Sequence, residues 1–232
     1  MTSTLRKTAR RAAVVAGAAT LLSGLAAPAA VANPLESGAD AIPADYAEQV
    51  QSVIDRAGIP ADIREKLESG LKSITSGSSA GKDETGEGEG LIPENGPKIN
   101  QFLPMISPKC INGETPSLGL ATSIPGPAHL PLPGIPSGQS GFVFTGMGTQ
   151  GLAETQELTM KVHWINPLDG KWGTTVLDRT DLNPDGPGTV WGVGETGSGL
   201  VLAVIEGGIT AAEQSGPANC TYSPSAAVIP VK

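Results

Sequence analysis

The chain has 232 residues, a formal net charge of −8 and only 3% aromatic residues. The acidic balance excludes nucleic-acid binding, because contact with a phosphate backbone needs clustered Lys and Arg. With 31 Gly and 20 Pro residues, the composition predicts a globular chain with many turns and excludes collagen and coiled coils.

The N-terminus has the three parts of a secretory signal peptide. Its basic residues are Arg6, Lys7, Arg10 and Arg11. An apolar run follows from Ala12 to Ala27, and small residues at Ala30 and Ala32 suit a signal peptidase. We therefore predict that residues 1–32 are removed and that the protein is secreted or associated with the cell envelope. The general and twin-arginine export routes both remain open.

Removal of residues 1–32 leaves an acidic chain without a second long apolar run. It would carry 11 basic and 23 acidic residues, a net charge of −12. A membrane-spanning helix needs about 18 or more consecutive apolar residues. We therefore predict no transmembrane segment once the signal peptide is removed.

Residues 33–75 are predicted to form a helical hairpin, with both helices between Ala44 and Ile74. Gly58-Ile59-Pro60 separates the two helices. The second helix has an apolar stripe at helical spacing, formed by Ile63, Leu67, Leu71 and Ile74. A hairpin of this size cannot enclose its own core, so the stripe must dock elsewhere. Either the stripe packs on the chain's own β domain or it binds a protein partner.

Residues 76–92 are predicted to be an acidic linker rich in Gly and Ser. The segment has almost no apolar side chain whose burial would offset the entropy lost on ordering. Residues 93–232 then change to short β-type runs separated by Gly and Pro. Seven strands are predicted there: Ser117–Ser123, Gly141–Thr145, Gln156–Ile165, Trp172–Leu177, Gly188–Val193, Leu200–Glu206 and Ala226–Val231.

The predicted fold class is mainly β, an immunoglobulin-like antiparallel β-sandwich closed by one disulfide and preceded by the short helical hairpin. Polar and apolar residues alternate through 157–166, which is typical of a half-buried antiparallel strand. About seven such strands without helical patterns between them are typical of a sandwich. Cys110 and Cys220 are an even pair in an exported chain, which favours a disulfide between them.

The chain resembles small secreted cell-envelope proteins of high-GC Gram-positive, mycolic-acid bacteria. The resemblance rests on the Arg- and Ala-rich signal, the low aromatic content and the β domain rich in Pro and Gly. A Pro-rich block at Ile124 to Pro136 and the segment Gly141 to Gly146 have the same character. The resemblance implies an envelope or extracellular setting, and it implies no particular chemistry.

One short segment resembles the first half of a calcium-binding loop. Asp181, Asn183 and Asp185 stand at alternate positions and are followed by Gly186. Hard oxygen ligands and a tight Gly turn suit Ca²⁺, but the bidentate Glu of an EF-hand is absent, because the twelfth position is Gly192. The alternatives are a weak Ca²⁺ site and an ordinary turn between strands. No other cofactor is predicted.

Two tryptophans are candidates for a ligand-binding surface. Trp172 and Trp191 lie close to predicted turns, and exposed indole rings would stack on a sugar. Trp164, in contrast, lies on the apolar face of its strand and is predicted to be core.

Catalysis has little support in the sequence. Ser140 and Ser198 are the candidate nucleophiles of an esterase-like hydrolase, and the chain has only two histidines, His129 and His163. His163 falls on the polar face of a predicted strand, which we expect to be solvated. We therefore predict no catalytic residues.

The leading functional hypothesis is an exported, non-catalytic protein that acts at the envelope or outside the cell through protein interaction. The alternative is a module that binds envelope glycan or lipid, with weak Ca²⁺ binding. An esterase-like hydrolase is the third.

Overall fold

A computed structural model describes residues 42–76, 99–129, 134–180 and 182–232. The predicted signal peptide, most of the predicted linker and Asp181 lie outside these ranges. Within them, the chain forms two helices and nine strands, all of them paired antiparallel.

The two helices lie within the predicted hairpin. Helix α1 is Tyr46–Arg56 and helix α2 is Ala61–Thr75. The turn between them contains Gly58 at a φ of 61°, in the left-handed region that favours glycine. Pro60 follows as the N-cap residue of α2. In the described ranges, neither helix has the length and apolar character needed to cross a membrane.

The strands form one continuous antiparallel sheet. They are β1 Asn100–Gln101, β2 Met105–Ile111, β3 Thr115–Pro125, β4 Ser140–Met147, β5 Met160–Ile165, β6 Trp172–Arg179, β7 Thr189–Gly194, β8 Gly199–Glu213 and β9 Gly216–Val231. Their order is β1-β3-β4-β7-β6-β5-β8-β9, and β2 pairs with β3. Strand β6 joins the two halves of the sheet. Its residues 172–177 pair with β5, and its residues 178–179 pair with β7.

The disulfide lies where the two ends of the sheet meet. Strand β2 is an edge strand beside β3, strand β9 is an edge strand beside β8, and the two contact each other. Cys110 on β2 is bonded to Cys220 on β9 with 4.6 Å between their Cα atoms, as predicted. The amide of Ile106 also donates a hydrogen bond to Ser223 Oγ at 3.2 Å.

The main core lies on the inner side of the sheet. Its members include the large side chains of Phe102, Phe142, Phe144, Met160, Trp164 and Tyr222, all buried. The predicted alternation in β5 is confirmed for the inward residues, since Met160, Val162 and Trp164 all belong to this core. A Cβ at Gly119 would lie 2.7 Å from ring atoms of both Phe144 and Tyr222, so the packing requires glycine there.

The helical hairpin packs on the outer side of the sheet. The buried side chains of α2 lie against Ile165, Leu202, Val204 and Ala226 of strands β5, β8 and β9. A Cβ at Gly70 would lie 2.3 Å from Val204 Cγ2, so the helix comes close to β8 because this position has no side chain.

The apolar stripe of α2 is part of this contact. Leu67, Leu71 and Ile74 are buried, and Ile63 is partly buried against the same cluster. Of the two interpretations, the structure has the stripe docked on the chain's own sheet. While it is docked, these side chains are not accessible to a partner.

The β8–β9 hairpin is much longer than the prediction. The predicted strands end at Glu206 and begin again at Ala226. The structure has a β-bulge between Ile205 and Gly207, after which pairing continues to the turn at residues 214–215. Strands β1 and β2 were also not predicted.

Candidate functional site

The outer side of the sheet has a part covered by the hairpin and a part that is open. Strand pairing aligns Leu120 with Thr145, and Thr145 with Thr189. It also aligns Thr122 with Val143, and Val143 with Trp191. Because side chains alternate along each strand, these positions share the face opposite Phe142 and Phe144.

The open part is apolar, and we call it the open apolar face. It is defined by six exposed side chains on strands β2, β3, β4, β6 and β7: Ile106, Leu118, Leu120, Met147, Val176 and Val193. Their exposed fractions range from 37% for Val193 to 56% for Ile106. Antiparallel sheets with one solvated face normally carry polar residues there, so this composition is unusual for a surface facing water.

The Pro-rich connection between β3 and β4 covers one end of this surface. Ala128 and Ile135 form an isolated β-bridge. Ile135 is buried, and a Cβ at Gly141 would lie 2.5 Å from its Cδ1. Val193 pairs with Gly141 beside this contact, and the open apolar face extends from there toward Leu120 and Met147.

The two candidate tryptophans lie on different parts of the outer surface. Trp191 is half-buried beside Val143 in the middle of the open region. Trp172 is partly buried against the cluster under the hairpin. Trp191 pairs with Asp178, six residues along β6 from Trp172, or about 20 Å at the usual rise per residue. The two rings therefore do not form a common stacking platform.

A hydrogen-bonded polar cluster lies at the edge of the docked hairpin. Lys66 Nζ on α2 is 2.7 Å from Glu206 Oε2 on β8. His163 Nε2 on β5 is 3.1 Å from Glu206 Oε1, and its Nδ1 is 2.8 Å from Thr174 Oγ1 on β6. Because a carboxylate only accepts hydrogen bonds, Nε2 of a neutral His163 donates to Glu206 and Nδ1 accepts from the Thr174 hydroxyl.

In this cluster, Lys66 and Glu206 each stabilise the charged form of the other. Partial burial acts to raise the pKa of Glu206, but hydrogen bonds from Lys66 and His163 outweigh it and hold that pKa below its usual value. The hydrogen bond to Glu206 in turn raises the pKa of Lys66. The ion pair between Lys66 and Glu206 therefore links α2 to strand β8 of the sheet.

His163 differs from the prediction of a solvated histidine. It is only 5% exposed, because the hairpin covers the part of β5 that the sequence pattern assigned to solvent. Its hydroxyl partner is Thr174, and neither Ser140 nor Ser198 has a hydrogen bond to a histidine in the described ranges. Ser140 is fully buried, and Ser198 is exposed in a turn.

The candidate calcium ligands are described only in part. Asn183 and Asp185 are exposed, and Asp181 lies outside the described residues. The side chain of Asn183 folds over its own turn, since a Cβ at Gly186 would lie 2.2 Å from it. The described residues contain no group of three or more His, Cys, Asp or Glu side chains arranged to hold a metal ion. Calcium binding by Asp181, Asn183 and Asp185 stays a prediction.

Sequence reasoning missed the open apolar face. The signal was present in Gly141 to Met147 and in Thr189 to Gly194, where apolar residues occupy positions on both faces of the strand. No family model, no curated protein and no solved structure matches this chain.

Proposed function

We propose that the protein is an exported, non-catalytic protein that acts at the cell envelope or outside the cell by binding a partner through the open apolar face. The observation that carries the proposal is that six exposed, large apolar side chains share one face of the sheet. Contiguous exposed apolar surface is unfavourable in water and typically marks a binding site.

The proposed location follows from several features. The N-terminal sequence has the pattern of a signal peptide, and a buried disulfide is compatible with an oxidising, extracellular compartment. The resemblance to secreted envelope proteins of mycolic-acid bacteria agrees with this setting. For the fold, we propose an immunoglobulin-like sandwich in which the two halves of the sheet meet at β6.

The proposed binding surface is not the helical stripe. Leu67, Leu71 and Ile74 are buried against the sheet, so a partner could use them only after the hairpin had undocked. Leu118 and Leu120 are already exposed at 43% and 41%. Binding there requires no rearrangement of the fold, which favours the sheet face over the stripe.

A module that binds envelope glycan or lipid is the second candidate. It is favoured by the half-buried ring of Trp191, which lies among the apolar side chains of the open region. Trp172 lies too far along β6 to contribute to the same platform. Calcium held by Asp181, Asn183 and Asp185 would belong to this second candidate.

The experiment is affinity capture from solubilised envelope of the source organism. The purified, tagged protein is compared with Leu120→Lys on the open apolar face and with Leu168→Lys as a matched control. Leu168 is 60% exposed in the turn between β5 and β6, away from the face. We expect a defined protein that the wild type and Leu168→Lys retain and that Leu120→Lys loses.

Other outcomes separate the candidates. Recovery of glycan or lipid that depends on Leu120 would replace the leading proposal with the second. Equal recovery by all three proteins would contradict any role for the open apolar face. Turnover of ester substrates that is abolished in Ser140→Ala or Ser198→Ala would contradict the non-catalytic assignment.

A further inference from the structure

We propose that the open apolar face is the contact surface of a homodimer, in which two copies of the chain stack their sheets face to face. The inference rests on the proposed function, since it names the partner for that same face. The partner is a second copy of this chain.

In the covered half of the outer surface, another part of the chain buries the apolar side chains that point outward. Ile165, Leu202 and Val204 are apolar outward positions, and the hairpin buries all three. The open apolar face has the same kind of side chains on the neighbouring strands. Within the described residues, Ile135 of the Pro-rich connection covers part of this side at the Gly141 end, and Asn183 of the β6–β7 loop contacts Thr189.

The distribution of charge favours a second copy. Without the predicted signal peptide the chain carries a net charge of −12, so two copies repel each other over most of their surfaces. The outward positions of the described parts of β3, β4, β6 and β7 include one charged side chain, Asp178, and β2 adds the exposed Lys109, of opposite sign. Two copies can therefore approach closely through this face, with little like-charge contact.

The scarcity of basic side chains argues against an anionic lipid surface. Peripheral binding to such a surface relies on a cluster of Lys and Arg near the apolar contact. Among the described residues of these strands, the basic side chains beside the face are Lys109, exposed on β2, and Lys161, which pairs with Val176 from strand β5. Among the hydroxyls of the face, those of Thr145 and Thr189 bond to each other at 3.1 Å, which makes them poor partners for a glycan.

The size of the face fits a weak dimer. Five strands about 4.8 Å apart, each contributing about six residues, span roughly 24 by 20 Å, or about 480 Å². Two such faces would bury about 1,000 Å² in total, at the lower limit for a specific interface. Sheets stack about 10 Å apart with their strands at a small angle, a geometry that two flat faces can adopt. An interface at this limit is typical of weak, transient association, so we expect a reversible dimer.

The test is sedimentation velocity of the purified protein from about 1 to 300 μM, a range suited to weak dimers. We expect a reversible monomer–dimer equilibrium that tightens with added salt, because salt screens the repulsion between acidic copies. Leu120→Lys should weaken the dimer at least tenfold, and Leu168→Lys should leave it unchanged. Val176→Lys, at a position 53% exposed on β6, is a second variant in case the first fails to fold.

A monomer at every concentration would overturn the proposal, as would a dimer that neither Leu120→Lys nor Val176→Lys weakens. These outcomes are distinct from failure of the proposed function. A monomeric protein that still captures an envelope component through Leu120 retains the proposed function and has a different partner. A dimer that captures nothing supports the homodimer and contradicts an envelope partner on this face.

Discussion

Removal of the Cys110–Cys220 disulfide should cost a large part of the stability of the fold. The bond joins residues 110 positions apart, on the two edge strands where the ends of the sheet meet. In the chain-entropy model, a loop of this length restricts the denatured chain by about 16 cal/mol/K, which is about 5 kcal/mol at 25 °C. Domains of this kind have total unfolding free energies of about 5–15 kcal/mol. The double variant Cys110→Ala/Cys220→Ala should therefore be marginally stable.

The assay is equilibrium urea unfolding of the oxidised protein, the double variant and the fully reduced wild type. The oxidised and reduced wild types differ only in the bond, so their difference isolates the cross-link from the change of side chain. Because both cysteines are fully buried, the reduced protein has to be prepared in denaturant and refolded. If oxidised and reduced proteins differ by less than about 1 kcal/mol, the entropic reasoning is refuted for this chain.

Two further predictions concern the docked hairpin. Leu67→Ala should lower the free energy of unfolding by about 2–5 kcal/mol, because Leu67 is fully buried. Glu68→Ala, at an exposed position on the same helix, should change it by less than about 0.5 kcal/mol, and equal losses in urea unfolding would contradict the docking. In the folded protein, the pKa of Glu206 lies below its usual value. The ionised carboxylate therefore stabilises the fold above about pH 4.5, and this stabilisation is lost as pH falls through the folded-state pKa. The difference in Tm between wild type and Glu206→Gln should therefore shrink as pH falls below about 4.5, and a difference that stays unchanged down to about pH 3 would contradict the assigned ion pair.

Sequence patterns predicted those elements that depend on residues close together in the chain. The helices were recognisable because Gly58-Ile59-Pro60 separates two runs of helical period, and the structure ends α1 and begins α2 there. The alternation through β5 correctly assigned Met160 and Val162 to the core. The disulfide followed from the count of cysteines and the predicted export, without any knowledge of strand order.

Features that depend on distant strands were not predictable in this way. Gly207 has a φ of 112°, and its neighbourhood resembles a turn in sequence, yet β9 holds β8 in register on both sides of the bulge. The polar side of β5 was predicted to face solvent, but α2 reaches it from about a hundred residues earlier in the chain. Burial of His163 is therefore a consequence of tertiary packing that alternation along one strand does not encode.

The candidate site was missed because alternation assigns each strand one apolar face. In β4, Phe142 and Phe144 mark the core side, and Val143 and Met147 lie on the other. A strand that is apolar on both faces is expected where both faces are covered. For β5 and β8, the hairpin covers the second face. For β3, β4 and β7, the described part of the chain supplies the contact at Ile135 and that of Asn183 with Thr189, which leave Leu120 and Val193 exposed. Our proposal is that another molecule supplies the remaining cover, and the proposed binding function of this face follows from it.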